Sequence, residues 1–525
     1  MTSTWAPLRI GVFRMLWLAV LGSQIGTWMQ TVGAQWLLLG EPNAGTLVSL
    51  VQTAATLPVL LLALPSGVLA DTFDRRRLLI NVQLVQLATG VMLTGLTVAG
   101  QMTPPLLLLL TFALGCGTAM TNPAYQAVIP ELVPRTLILS AAALGSISIN
   151  LARAIGPAIA GVLVAWAGPE VVFGLNAVSF LIFAIALLAW RRDPQDNAAE
   201  PFVAALRAGG RYVRYAPIMR RLLLRSVIFV VPAMALWALL PLVASRRLGL
   251  DASGYGLLLT ALGVGAVLGA LILPRLRAAL SGTGMLAVAS LTYAAALAVL
   301  AVAREPAFAV IVLVPAGAAW MTVLTNLNAE VQLLLPAWVR ARGLAGYQTA
   351  FFGAQAVGSL VWGVAADRIG LAETFLIAAG LTAAGAATLP WAPLIPSGHL
   401  NRDPATPWPE PRLTHEPDPG AGPVVVEVAY SIPPDREADF LEAMSEVRRS
   451  RLRTGAVQWG VFRAGETSGR MVELYVIPTW DEHLRQHGGR LTGADAEFDA
   501  RARALSTTPP EVVHMLHAPV RHGPR

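Results

Sequence analysis

The sequence predicts an all-α membrane protein, twelve transmembrane helices in two six-helix pseudo-repeats, followed by a small soluble α+β domain. Three observations carry that prediction. The chain has 525 residues, 55% of them hydrophobic and only 13% charged, with a mean hydropathy of +0.60, far too apolar for a soluble protein of this length. Apolar runs of about 20 residues, enough to cross the hydrocarbon layer, recur up to residue 391. Beyond that point prolines cluster, and short alternating and amphipathic segments take over.

The runs fall at 14–39, 44–70, 78–99, 105–128, 138–166 and 170–190, then at 222–244, 254–274, 283–303, 306–332, 343–366 and 371–391. The first follows Arg9 and Arg14, is much longer than a signal-peptide core, and lacks a small-residue cleavage site, so it is expected to stay in the membrane. Between the second and third stands Gly67-Val-Leu-Ala-Asp-Thr-Phe-Asp-Arg-Arg-Arg77. Two acids and three arginines wedged between uncharged runs read as a tight loop at the membrane face. The expected domains are a six-helix bundle over 1–190, a linker over 191–221 with an interfacial helix at 202–215, and a second six-helix bundle over 222–395. A proline-rich linker over 396–422 then leads to a soluble unit over 423–520.

All 38 basic residues are arginine and the net charge is +7. Many of them border apolar runs, where positive charge orients helices, so no nucleic-acid partner is expected. With the N-terminus inside, the cytoplasmic face collects Arg9, Arg14, Arg75, Arg76, Arg77, Arg135, the cluster from Arg191 to Arg225, Arg275, Arg277, Arg340 and Arg342. The other face has only Arg246, Arg247, Arg304 and Arg368. Both termini are therefore expected in the cytoplasm. The single cysteine, Cys116, lies in an apolar run and excludes an intramolecular disulfide. There is no Walker-type phosphate loop to support ATP-driven pumping.

An internal repeat supports the six-plus-six division. Ala154-Ile-Gly-Pro-Ala-Ile-Ala-Gly161 aligns with Ala356-Val-Gly-Ser-Leu-Val-Trp-Gly363, and the register continues through Gly168 with Gly370 and Phe173 with Phe375. Thr121-Asn122 matches Thr325-Asn326 upstream. Two halves built alike suggest bundles that rock around a central site.

With these features the chain resembles the major facilitator superfamily, whose loop between helices 2 and 3 reads G-x-L-A-D-R-x-G-R-R/K. Gly67, Leu69, Ala70, Asp71, Arg75 and Arg76 fit it, whereas Thr72 and Asp74 depart from it. The resemblance implies a latch of the outward-open state: Asp71 near the positive end of the eleventh span, around Gly343, and Arg75 or Arg76 paired with Glu131. Gly115-Cys-Gly-Thr-Ala119 is similar to the superfamily's helix 4 motif, but Thr111 stands where that motif carries arginine. Gly156-Pro157 followed by Ala160-Gly161 resembles the G-P-x-x-G-G signature of exporters, with one glycine replaced. Together with Asn150-Leu-Ala-Arg-Ala-Ile-Gly-Pro157 and Pro130-Glu-Leu-Val-Pro134, the pattern over about residues 8–395 looks most like the transmembrane secretion effector branch, which includes enterobactin-exporter-like and macrolide-efflux proteins. It implies a secondary exporter of the bacterial inner membrane, moving a drug, siderophore or secondary metabolite by alternating access, with protons as the expected coupling ion.

Few ionisable residues lie inside the spans, and each is a functional candidate because charge there is costly. Arg153 reads as a fixed positive charge for an anionic substrate or as an internal partner for Glu330. Glu330, near the repeat position of Gln126, is the expected proton-coupling carboxylate, since all seven histidines follow residue 391. The alternative is an end-of-helix acid paired with Arg340 or Arg342. Gln24, Trp28, Thr31 and Gln35 share one helical face. With Asn122, Asn150, Asn326, Gln348 and Gln355 they are candidate cavity residues, although such amides often only join helices. An apolar cavity with scattered amides suits an amphipathic organic compound.

The soluble unit reads as strand 424–432, helix 435–453, strands 457–464 and 471–479, a helix at 480–505 and strand 511–518. That β-α-β-β-α-β order is ferredoxin-like. Val457-Gln-Trp-Gly460, Tyr475 to Trp480 and Trp480-Asp-Glu-His-Leu-Arg-Gln-His487 resemble the antibiotic biosynthesis monooxygenase-like domain, which implies homodimerisation and leaves open cofactor-free oxidation of the cargo. His483 and His487 are four apart on a helix but have no identifiable further ligand, so surface histidines, no metal and no cofactor are expected. Three readings stay open: an exporter with a regulatory tail, an exporter fused to a monooxygenase, and a transporter-derived sensor or scaffold.

Overall fold

The computed structural model describes residues 5–191, 202–336, 338–395, 401–405, 413 and 417–518; the side chains of 63–65, 67–72, 135, 202–208 and 341 lie outside that description. The described residues up to 395 are mainly helical: α1 Gly11–Leu37, α2 Ala44–Thr72, α3 Arg75–Val98, α4 Pro104–Leu132, α5 Ile138–Ala167, α6 Pro169–Ala189, α7 Phe202–Tyr215, α8 Pro217–Leu242, α9 Ala252–Ala279, α10 Gly282–Val302, α11 Pro306–Leu334, α12 Arg340–Ile369 and α13 Leu371–Ala387. Local chemistry sets the ends. Asp74 caps α3 by accepting from Arg77 N at 2.8 Å, and Asp251 and Ser281 do the same for α9 and α10. The repeat is visible in the backbone, since Gly168 and Gly370 take φ of 84° and 95° and each starts the next helix.

Among the described residues ten helices are long and apolar enough to cross a membrane. The glutamine-bearing α1 and the 17-residue α13 stand outside that set. Large apolar side chains point outward along α6 and α9, including Ile182, Ile185, Leu188, Leu268, Leu271 and Ile272, the pattern of a body whose solvent is hydrocarbon.

The chain divides into two compact units. The first comprises 1–199, 223–327 and 348–394. Within it α1 packs on α5 and α6, α3 on α4 and α6, α2 on α4, α10 on α13, and α5 on α9. Phe13, Leu16, Trp17, Leu79, Val128, Phe183 and Leu187 form one buried cluster. At α13, Arg225 of α8 is 4% exposed and donates to the carbonyls of Gly385, Thr388 and Ala392, closing the helix's free C-terminal acceptors.

The second unit comprises 200–222, 328–347 and 395–525. Its sheet has β1 Val424–Ser431, β2 Gln458–Arg463, β3 Arg470–Ile477 and β4 Glu511–Leu516 in the order β2-β3-β1-β4, every pair antiparallel. Val424, Val426, Val428 and Tyr430 alternate inward from β1 and meet Phe440, Met444 and Val447 of α14 Glu437–Thr454. The helix expected over 480–505 is broken into α15 Trp480–Arg485, a π turn at Gln486–Arg490, and α16 Gly493–Ala504. Gly488 and Gly489 release the first helix, and Thr492 with Asp495 forms a capping box that starts the next. Helix α14 packs on α16 and on the linker helix α7. Arg211 of α7 pairs with Glu482, and Arg453 lies over the Tyr212 ring at 5.8 Å.

Candidate functional site

In the first unit the candidate residues converge around Arg153. Its guanidinium carbon lies 5.9 Å from the ring centroid of Trp28. Among the described residues it has no hydrogen bond and no carboxylate partner. Trp28 begins a row of rings: Trp237 of α8 at 6.0 Å, Trp320 of α11 at 5.6 Å from Trp237, and Phe351 of α12 at 6.4 Å from Trp320. The Trp237 indole nitrogen is buried without a partner, a donor held in an otherwise apolar lining.

Gly156, Pro157 and Gly161 position this group. A methyl on Gly156 would meet Trp28 Cβ at 2.8 Å, so the glycine lets α5 lie directly on α1 beside Arg153. A methyl on Gly161 would meet Ala252 O at 2.7 Å and Gly256 Cα at 2.8 Å, and the carbonyl of Pro157 approaches Gly256 from the same side. The motif therefore seats α5 against α1 on one side and α9 on the other.

Three of the seven candidate amides, Gln24, Gln35 and Asn326, join helices. Gln24 accepts from Ser148 Oγ at 3.2 Å, and Gln35, 2% exposed, accepts from Tyr255 Oη at 2.7 Å. Asn326 donates to Gly282 O at 3.0 Å, while Asn150 bonds Ser146 O in its own helix at 2.9 Å. Gln355 is buried; Asn122 and Gln348 are exposed.

Sequence reasoning missed Asp367. Near the end of α12, its carboxylate accepts from Gly45 N at 3.0 Å, Thr46 N at 2.7 Å and Thr46 Oγ1 at 2.6 Å, covering the donors at the start of α2. Two glycines make the approach: a methyl on Gly363 would meet Ser49 Oγ at 1.8 Å, and one on Gly45 would meet Asp367 Oδ1 at 2.5 Å. Thr53 Oγ1 donates to Ala356 O at 3.1 Å one turn further along. Trp36 stacks on Tyr255, centroids 6.2 Å apart, at the same end of the body. The available signal was spacing, because Gly363-x-x-x-Asp367 repeats Gly67-x-x-x-Asp71.

At the opposite end, Gly67 and Asp71 lie in α2 with side chains outside the described residues, so the Asp71 contact is not described. Of the two arginines expected near Glu131, Arg75 makes the pair, at 2.9 Å. Arg76 instead donates to the carbonyls of Leu187 and Leu188 at 2.9 and 2.8 Å, because the C-terminal end of α6 offers free acceptors there. Glu330 is half-buried on α11 and belongs to the second unit, whereas Arg153 belongs to the first.

In the C-terminal domain the expectation of surface histidines holds for His517 but fails for His483, His487 and His514. His483 is 0% exposed, and His487 and His514 are half-buried beside it. Their sequence separation hid the cluster: β4 returns His514 to His483 of α15 and His487 of the π turn that follows it. Desolvation, reinforced by His487 and His514, lowers the His483 pKa to about 3; desolvation and His514 lower that of His487 to about 4. Behind them Arg451 is clamped between Glu473 at 3.0 Å and Asp499 at 2.8 Å, with Trp459 donating to Glu473 at 2.9 Å.

The sequence matches the family described as transmembrane secretion effector over residues 2–522. It is 25% identical over 257 residues to the staphyloferrin A transporter of Staphylococcus aureus, covering 48% of this chain and 64% of that protein. It is 30% identical over 213 residues to the enterobactin exporter EntS of Salmonella choleraesuis, covering 39% and 49%, and 25% identical over 182 residues to macrolide efflux protein A of Enterococcus faecalis, covering 34% and 56%. The chain thus spans from about half to just under two thirds of the length of these relatives. Its fold is similar to the nucleoside transporter NupG, with a TM-score of 0.59 at 13% identity over 73% of this chain and 99% of that one. A bacterial homologue of the human lysosomal transporter Spinster gives 0.58 at 16% identity over 74% and 95%. Apolar helices, paired halves and a family match over nearly the whole chain lead to one assignment: this multi-pass membrane protein belongs to the transmembrane secretion effector family of the major facilitator superfamily.

Proposed function

We propose that the protein is a secondary active exporter that carries an amphipathic organic anion out of the cell by alternating access, driven by the proton gradient. The carrying observation is Arg153, a guanidinium within α5 that has no carboxylate partner among the described residues and faces Trp28 at the head of an aromatic row drawn from α1, α8, α11 and α12. A fixed cation beside flat apolar walls is suited to a cargo with one acidic group and an aromatic or macrocyclic body. Relatives named for siderophores and a macrolide support that class. The Gly156-Pro157-x-x-x-Gly161 segment, seated between α1 and α9, supports export.

In this reading twelve spans form two six-helix bundles over 1–190 and 222–395, with both termini in the cytoplasm of a bacterial inner membrane. Asp367 on α2 is the clamp that closes the outer end, and Arg75 with Glu131 belongs to the latch that Asp71 completes at the inner end. Glu330 is the proton-coupling carboxylate. The C-terminal domain is a ferredoxin-like module with a regulatory or dimerising role; its docking on α7, through Arg211 with Glu482, ties it to the linker between the bundles.

The test is a screen of a deletion strain for compounds it accumulates, followed by efflux of the hit with and without an uncoupler. Efflux should collapse with the uncoupler and in Glu330→Gln, while membrane insertion stays normal. Efflux that is indifferent to both sinks the proton-coupled reading.

A further inference from the structure

Neither ring nitrogen of the fully buried His483 has a hydrogen-bond partner, and the same is true of the buried Nε2 of His514. A neutral imidazole carries one donor and one acceptor, and burying them unpaired is unfavourable unless something else engages them. The rings crowd together. The His483 centroid is 4.5 Å from that of His487 and 4.9 Å from that of His514, and Trp480 closes one side with its ring 5.1 Å from His483. One nitrogen from each of the three histidines lies within 4.8 Å of the others.

We infer that His483, His487 and His514 form a binding site for a divalent transition-metal ion, held by three imidazole nitrogens with a fourth position left for water or an external ligand. Tetrahedral coordination with metal–nitrogen bonds of about 2.0–2.1 Å sets neighbouring nitrogens about 3.3 Å apart, so ring rotations that bring them together by up to about 1.5 Å complete the site. Its frame is fixed. His483 and His487 stand one helical turn apart, and His514 is held by the pairing of β4 with Val426 of β1.

The donor set selects the ion. Three neutral nitrogens without a carboxylate suit zinc, cobalt, nickel or copper and disfavour calcium or magnesium. The chain's only thiol, Cys116, is in α4 and takes no part. The charged groups facing His487 are Arg451 and Asp499.

The experiment uses the full chain, purified in detergent and stripped with a chelator. Zn²⁺ is titrated by calorimetry, and Co²⁺ is followed by its visible ligand-field absorption. The expected result is one saturating equivalent, a tetrahedral Co²⁺ spectrum, and affinity lowered about 100-fold in His514→Gln and in His487→Gln. The His517→Gln variant, altered at an exposed residue outside the cluster, should bind like the parent. Because His483 is in the core, its replacement is not needed. His514→Gln and His487→Gln are checked for folding by circular dichroism, and nitrogen counting by X-ray absorption on the unmutated protein gives an independent reading. Absence of saturable binding, a count other than three imidazoles, or binding lost in His517→Gln but kept in His514→Gln overturns the assignment.

Discussion

Arg153 concentrates the energetics of the body at one residue. An arginine at the centre of a span costs about 2.5–3.5 kcal/mol on insertion scales, and a desolvated cation–π contact such as that with Trp28 returns about 2 kcal/mol. On the proposed function, the remainder is what an anionic cargo offsets on binding. Arg153→Gln should therefore lower cargo affinity at least about tenfold, a loss near 1.4 kcal/mol, whereas Arg153→Lys keeps the charge and most of the affinity; quenching of tryptophan fluorescence by the cargo measures both. Asp367 has the converse role, as an anion on a helix start. Asp367→Asn removes the charge from three hydrogen bonds, each roughly halved in strength by that loss. Spin labels at the ends of α1 and α8 should then report a larger outward-open population, and an unchanged distance distribution would remove Asp367 from the gate. Residues of these two kinds differed in legibility. Arg153 stood out because a charge within an apolar run is conspicuous, whereas Asp367 lies beside Arg368 at a span end, where charge is ordinary.

Among the elements, α5 and α12 act through what they lack. Gly161→Leu or Gly363→Val should block closure of the body by forcing α5 from α9 or α12 from α2. The expected outcome is normal insertion with transport reduced to background, measured on protein quantified in the membrane. In the C-terminal domain, α16 depends on Asp495. Burial raises its pKa, but Arg453 and hydrogen bonds from Thr492 outweigh that and hold it below the usual aspartate value. A depressed folded pKa means that its contribution is complete above the unfolded value of about 3.9 and is lost as pH falls through the folded value. Near-UV circular dichroism of the domain should hold down to about pH 4 and fall below it, and Asp495→Asn should flatten that acid limb. Helix and strand positions were legible here from periodicity and caps. The break at Gly488-Gly489 was not, because amphipathic spacing continues across it, and the histidine cluster was not, because the pairing of β4 with β1 brings His514 to His487 from 27 residues away in the chain.

For the whole molecule, the two-fold repeat is the strongest link between sequence and architecture. Gly168 and Gly370, matched by alignment, share a backbone conformation and a place in the chain. The grouping of α7 with the C-terminal domain was hidden, since a polar linker carries no sign of what covers it. Removing residues 405–525 should leave part of the transport activity, because the aromatic row and Arg153 lie wholly in the first unit. The most direct test of the central claim is flux of an anionic siderophore or drug in proteoliposomes under an imposed proton gradient. The expected result is gradient-dependent movement opposite to the protons, abolished by an uncoupler, cut at least about tenfold in Arg153→Gln and largely kept in Arg153→Lys. Equal flux in the parent and Arg153→Gln, or flux that persists without the gradient, would contradict it.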